Sequence, residues 1–104
     1  MKRGEVWWAD LGAPVGTRPV LLLSRDEAYK VRNAVTVAII TSTIRNIPVE
    51  VKLGKSEGMP KECVVNLDTI ITIRKHLIKN FITELDAQKI AKVDSAIKFA
   101  LAVK

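Results

Sequence analysis

The chain has 104 residues, 48% of them apolar and 27% charged, with a formal net charge of +6. That length supports one modest core, and no run approaches the roughly 20 apolar residues of a membrane span. The single cysteine, Cys63, excludes an internal disulfide and fits a reducing cytoplasm, while the basic balance favours a polyanionic partner without choosing which.

The N-terminus passes directly into Glu5-Val6-Trp7-Trp8-Ala9-Asp10-Leu11, rich in strand formers, with no apolar stretch of the kind that opens a secretory signal. Because side chains alternate along a strand, Trp7 and Trp8 point to opposite faces. One can enter the core. The other is either packed against a further surface, such as a dimer contact, or exposed as a platform on which a base stacks. Gly12 to Gly16 is a short loop, and Val20 to Ser24, which does not alternate, is expected to be a strand buried on both faces. Pro19 biases Arg18 toward an extended backbone and so holds a guanidinium at the mouth of that strand. Its planar fork suits a phosphate or, equally, a carboxylate.

Arg25 to Arg32 is polar and can form one helical turn. Val35 to Ile40 is a third buried strand that delivers Thr41, Ser42 and Thr43 at its end. Asn46-Ile47-Pro48 makes a turn into the cleanly alternating Val49 to Leu53. After a polar loop from Gly54 to Pro60, Glu62 to Ile73 reads as a strand with a bend, and Asn80 to Leu85 as a last strand. From Asp86 the period changes. Ile90, Val93, Ile97 and Leu101 recur at helical spacing among alanines, with Thr83 or Asp86 as N-cap. The expected architecture is mainly β with α: a small, strongly bent antiparallel sheet or barrel, covered by a C-terminal helix.

Metal chemistry has little support: one His, one Cys and no carboxylates at ligand spacing. No phosphate-binding Gly loop, serine elbow or dinucleotide fingerprint is present. His76, inside Arg-Lys-His-Leu, reads as a solvated or hydrogen-bonded imidazole, and Cys63, beside Val64 and Val65, as an inert thiol. What remains is a set of strand-end groups: Arg18, Thr41, Ser42, Thr43, Asn66 and Asp68.

Four stretches, in order, resemble one family. Arg3-Gly4-Glu5-Val6-Trp7-Trp8-Ala9-Asp10-Leu11 is similar to the opening R-G-[DE]-[IV]-[WY]-x-x-[DS]-L of MazF/PemK (Kid)-type toxins. Gly16-Thr17-Arg18-Pro19-Val20-Leu21 is similar to their G-x-R-P-[VA]-[LV], and Val37 to Ser42 to their apolar strand ending in Thr-Ser. Val64 to Ile73 and the terminal helix fall in register behind these. The resemblance covers residues 1–104 as one toxin domain. It implies an SH3-like bent β-barrel working as a cytoplasmic homodimer, and a metal-independent endoribonuclease without cofactor. Such an enzyme cuts single-stranded RNA by 2′-OH attack, leaving a 2′,3′-cyclic phosphate and a 5′-OH. It further implies an acidic antitoxin partner, with which DNA is bound, and no membrane. Arg18 and Thr41 match the family's catalytic arginine and threonine. Ser42, Thr43, Asn66, Asp68 and Trp8 are the expected RNA-binding residues. The sequence departs from the family pattern at Asn66, where some members place a second arginine, at Ile71, and in the short Gly12–Gly16 loop. A non-enzymatic toxin of the same fold that poisons gyrase, or a basic SH3-like nucleic-acid-binding module, stays open beside this reading.

Overall fold

In the computed structural model, which describes residues 1–104, the chain runs β1 (Glu5–Asp10), β2 (Thr17–Leu22), α1 (Ala28–Val31), β3 (Ala34–Thr41), β4 (Glu50–Leu53), β5 (Cys63–Arg74), β6 (Ile78–Glu84) and α2 (Ala87–Leu101). The strands form one sheet in the order β4-β5-β3-β2-β1-β6, with every neighbouring pair antiparallel. Irregularities in the β1–β6 and β3–β5 ladders bend the sheet into a half-barrel. It does not close, so β4 and β6 are its edges. The bend expected in the long fifth strand lies between Val65 and Ile70, where β5 leaves its ladder with β3.

Both faces of the sheet are apolar, which explains why Val20, Leu21 and Leu22 are all buried. On one face Val6, Leu21, Ile40 and Val65 pack with Val93 and Ala96 of α2. On the other, Ala9, Val20, Leu22 and Val37 gather with Tyr29, Ile73 and Ile78. Trp7 belongs to that second face, where its ring meets Phe81 edge-on at 5.8 Å and its Nε1 donates to Glu5 Oε1. Phe81 itself is 52% exposed.

The second strand begins at Thr17, three residues before the expected start. The hairpin tightens first: Gly16, at φ +78°, donates to the Gly12 carbonyl, and Leu11 donates back to the Gly16 carbonyl. A left-handed residue without a Cβ penalty is what that turn requires. Arg18 therefore lies within a strand rather than ahead of one.

Asp86 is the N-cap of α2, accepting from the Lys89 backbone N–H at 2.8 Å. Arg3 ties the helix to the sheet: Nη2 meets Asp94 Oδ1 at 2.8 Å while Nε donates to the Leu23 carbonyl. Both ionic side chains keep about a third to a half of their surface in water, so the ion pair is worth about 1 kcal/mol or less. Leu101 departs from the expected apolar stripe and is 58% exposed, because the last turn has only the left-handed Ala102 beyond it and no core to meet.

Two measurements check this packing. Gly58 sits at φ +89°, and a Cβ there would lie 2.5 Å from Thr83 Oγ1 and 2.9 Å from Thr83 Cβ. The β-branched Thr83 is held in β6 and has little room to retreat, so Gly58→Ala is expected to cost more than about 1 kcal/mol in urea unfolding. A neutral result would contradict the contact. Burial, and then the nearby Glu57 carboxylate, push the Cys63 thiol up. Native protein at pH 8 should react with iodoacetamide at least about tenfold more slowly than unfolded protein, and equal rates would show the thiol to be free.

Candidate active site

The cleft that matters opens where β2 and β3 part. Leu23 donates to the Thr36 carbonyl, and bonded pairs alternate along an antiparallel ladder. By that alternation Leu21–Ala38 is the next exchanging pair, and Pro19–Ile40 would be the one after. Proline has no N–H to give. The ladder stops at Val20–Ile39, and the two strand ends separate. Across Pro19 the pairing with β1 is undisturbed, since Trp8–Pro19 is a pair that exchanges no bonds. This is how a proline fits in an interior strand, and it places the residues flanking the break, Arg18 and Thr41, at one opening.

That opening is a cleft of about 420 Å³ lined by Trp8, Thr17, Arg18, Pro19, Ile40, Thr41, Ser42, Thr43, Met59, Pro60, Lys61 and Cys63. Two cations and four hydroxyls face it, with no carboxylate and no imidazole. Arg18 belongs to none of the three ion pairs in the structure, which join Lys2 to Glu84, Arg3 to Asp94 and Lys89 to Glu57. Its one recorded bond runs from Nη1 to the Thr17 carbonyl at 3.2 Å, leaving the other donors for a ligand. Thr41 Oγ1 accepts from the Thr43 backbone N–H at 3.2 Å, which fixes the hydroxyl oxygen and leaves its proton to donate outward. The site's chemistry is thus donation to an anion from a planar cation and a hydroxyl, beside the apolar surfaces of Trp8, Pro19, Met59 and Pro60.

Five of the expected site residues, Arg18, Thr41, Ser42, Thr43 and Trp8, come together here. Asn66 and Asp68 do not line the cleft. They lie in the stretch where β5 swings away from β3, with Asn66 paired instead to Glu50 of β4 and its Oδ1 accepting from the Asp68 N–H at 2.8 Å. That local bond turns the segment on itself and leaves Asp68 exposed. Trp7, the other half of the tryptophan pair, serves the opposite face. Lys61 is the residue that sequence reasoning missed. The polar loop around it gives no hint by itself. The signal is in the pairing, since Thr41 stands opposite Val64 and so draws the residues just before β5 to the same end of the sheet.

The chain matches, over residues 2–101, the family described as PemK-like, MazF-like toxin of type II toxin–antitoxin system. Endoribonuclease EndoA of Bacillus subtilis is 35% identical over 99% of this chain and 96% of its own length. Probable endoribonuclease MazF2 of Mycobacterium tuberculosis is 38% identical over 86% of this chain and 87% of its own. Among solved structures, a mycobacterial endoribonuclease in complex with its cognate antitoxin superposes with a TM-score of 0.89 at 29% identity, covering 100% of this chain and 97% of that one. The Mycobacterium tuberculosis toxin MazF-mt6 does so with a TM-score of 0.89 at 30% identity, over 96% and 98%. With fold, strand-end motifs and near-complete coverage in agreement, the chain belongs to the PemK-like, MazF-like toxin family of type II toxin–antitoxin systems.

Proposed function

We propose that this chain is a toxin endoribonuclease that cuts single-stranded RNA, working in the cytoplasm as a homodimer and restrained by a cognate acidic antitoxin. The observation that carries the reading is the guanidinium of Arg18, in no ion pair, lining with the Thr41 hydroxyl one cleft without carboxylates. Relatives named as endoribonucleases support the reaction class.

The RNA's own 2′-oxygen attacks the adjacent phosphorus, and the bond to the 5′-oxygen breaks. The 2′-hydroxyl gives up its proton, the leaving oxygen gains one, and the products are a 2′,3′-cyclic phosphate and a 5′-OH. The nucleophile is built into the substrate, so the reaction needs no water activated by a metal. Negative charge grows on the non-bridging oxygens as phosphorus becomes five-coordinate. Arg18 presents a planar pair of donors to those oxygens, and Thr41 adds a third. Arginine is a poor base at ordinary pH, so its role is charge stabilisation and alignment rather than proton removal. Ser42 and Thr43 donate along the backbone, Lys61 meets a neighbouring phosphate, and Trp8 with Met59 and Pro60 offers apolar surface to a base. Asn66 and Asp68 lie outside this cleft.

The cut ends report the chemistry directly. Incubated with a defined RNA pool in excess EDTA, the protein should yield 5′-OH and cyclic-phosphate ends at the rate seen without chelator. Loss of cleavage in EDTA, or 5′-phosphate ends, would contradict the mechanism. Arg18→Ala should lower kcat by about two to three orders of magnitude, the usual cost of a lost donor to a developing oxyanion. Arg18→Lys, which keeps the charge and loses the fork, should recover only part of it. An Arg18→Ala enzyme with unchanged kcat would remove this residue from the reaction.

A further inference from the structure

A second cationic pocket lies at the opposite end of the sheet. It is lined by Met1, Asn33, Arg74, Lys75 and His76, has a volume of about 410 Å³, and shares no residue with the Arg18–Thr41 cleft. The β3–β5 ladder sets its position. Ala34–Arg74 is the last pair at this end, whereas Thr41–Val64 is the last pair beside the cleft. β3 has 8 residues, so its two ends lie roughly 23 Å apart. Past Arg74 the chain is tied back to the segment before β3. The Lys75 N–H donates to the Asn33 carbonyl at 2.7 Å, and Lys75 Nζ donates to the Tyr29 carbonyl at 2.7 Å. The pocket therefore stands on a paired strand end rather than on free loops.

Positive charge gathers here without an answer from the protein. Residues 28–34 and 74–79 contain Lys30, Arg32, Arg74, Lys75, Lys79 and His76 and no acid. None of these side chains belongs to an ion pair. The acids just before them, Asp26 and Glu27, do not line the pocket, and Asp26 Oδ1 already accepts from the Arg3 N–H at 2.7 Å. Grouped cations repel one another, and an anion seated among them relieves that repulsion. Arg74 offers a planar fork, Lys75 keeps donors beyond the one given to Tyr29, and Asn33 and His76 add an amide and an imidazole N–H. Met1 is the only apolar residue in the lining, and no aromatic ring joins it. In this the pocket differs from the larger groove between α2 and β4, whose walls carry Ile47 and Phe99. It has donors for phosphate oxygens and no platform on which a base could stack.

We propose that the pocket of Asn33, Arg74, Lys75 and His76 binds a backbone phosphate of the single-stranded RNA substrate, away from the bond being cut and whatever the base. Taking RNA as the strand rests on the function proposed above. Two phosphate sites at opposite ends of one sheet favour a long strand over a short one. The far site adds affinity without adding sequence preference, because a phosphate carries no base identity.

The test measures binding to the full chain by fluorescence anisotropy, using labelled RNAs of about 4 and about 16 nucleotides. Every 2′-hydroxyl is replaced by fluorine, so neither RNA can be cut. Arg74 and His76 are exposed, so a double Arg74→Ala/His76→Ala variant leaves the core intact. That variant should bind the long RNA at least about fivefold more weakly, with the slope of log affinity against log salt reduced by about 1. It should bind the short RNA as the wild type does, and the loss on the long one should be the same for adenine-rich and uracil-rich strands. Lys98→Ala, which removes one exposed charge from α2, should change neither, since salt screens a charge that touches no phosphate. Unchanged binding of the long RNA, an equal loss on the short one, an equal loss in Lys98→Ala, or a loss confined to one base composition would each overturn the proposal. Arg18→Ala should weaken both lengths. If it weakens neither, the nuclease reading is what fails.

Discussion

One absent hydrogen bond organises this molecule. Pro19 stands where β2 would next exchange bonds with β3, and it has no N–H to offer. The sheet is continuous below that point and parted above it. Arg18 and Thr41 each lie two residues past the last paired positions, Val20 and Ile39, on the two strand ends that part there. Their separation is therefore set by two strands whose packing is secured on both faces. A site held by strand ends over a buried core is more closely positioned than one on free loops. It is also reached without burying the guanidinium, which would have exacted a desolvation cost that no carboxylate here offsets.

The two apolar faces divide the labour. The face that takes α2 supplies most of the core, with Val93 and Ala96 buried, and anchors the helix through Arg3 and Lys89. The opposite face carries Trp7 against a half-exposed Phe81. Between them, the strand ends and the α2–β4 groove provide two surfaces of different character. One is polar, cationic and hydroxyl-rich. The other is apolar with a lysine border.

Much of this was legible in the residues. The helix follows from the spacing of Ile90, Val93 and Ile97, whereas the residues offer both Thr83 and Asp86 as its cap and the fold takes Asp86. The opposite destinies of Trp7 and Trp8 followed from strand alternation alone. Only the motif singles out Arg18 and Thr41, since no propensity argument distinguishes a strand-end threonine in a cleft from one that merely caps a turn. What could not be read was register. The pairing of Thr41 with Val64 brings in Lys61, and the departure of β5 at residue 66 takes Asn66 and Asp68 out. Both depend on long-range pairing, which adjacent residues do not encode. The α2–β4 groove was hidden for the same reason, because Ile47 and Phe99 are far apart in sequence and meet only through the fold.

The most direct test is a crystal structure of the protein with a single-stranded RNA whose attacking 2′-OH is replaced by hydrogen. The account predicts one phosphate with both the Arg18 guanidinium and the Thr41 hydroxyl within about 3 Å of its oxygens, and the flanking base against Trp8, Met59 or Pro60. A scissile phosphate bound elsewhere on the sheet, with either group out of reach, would contradict it.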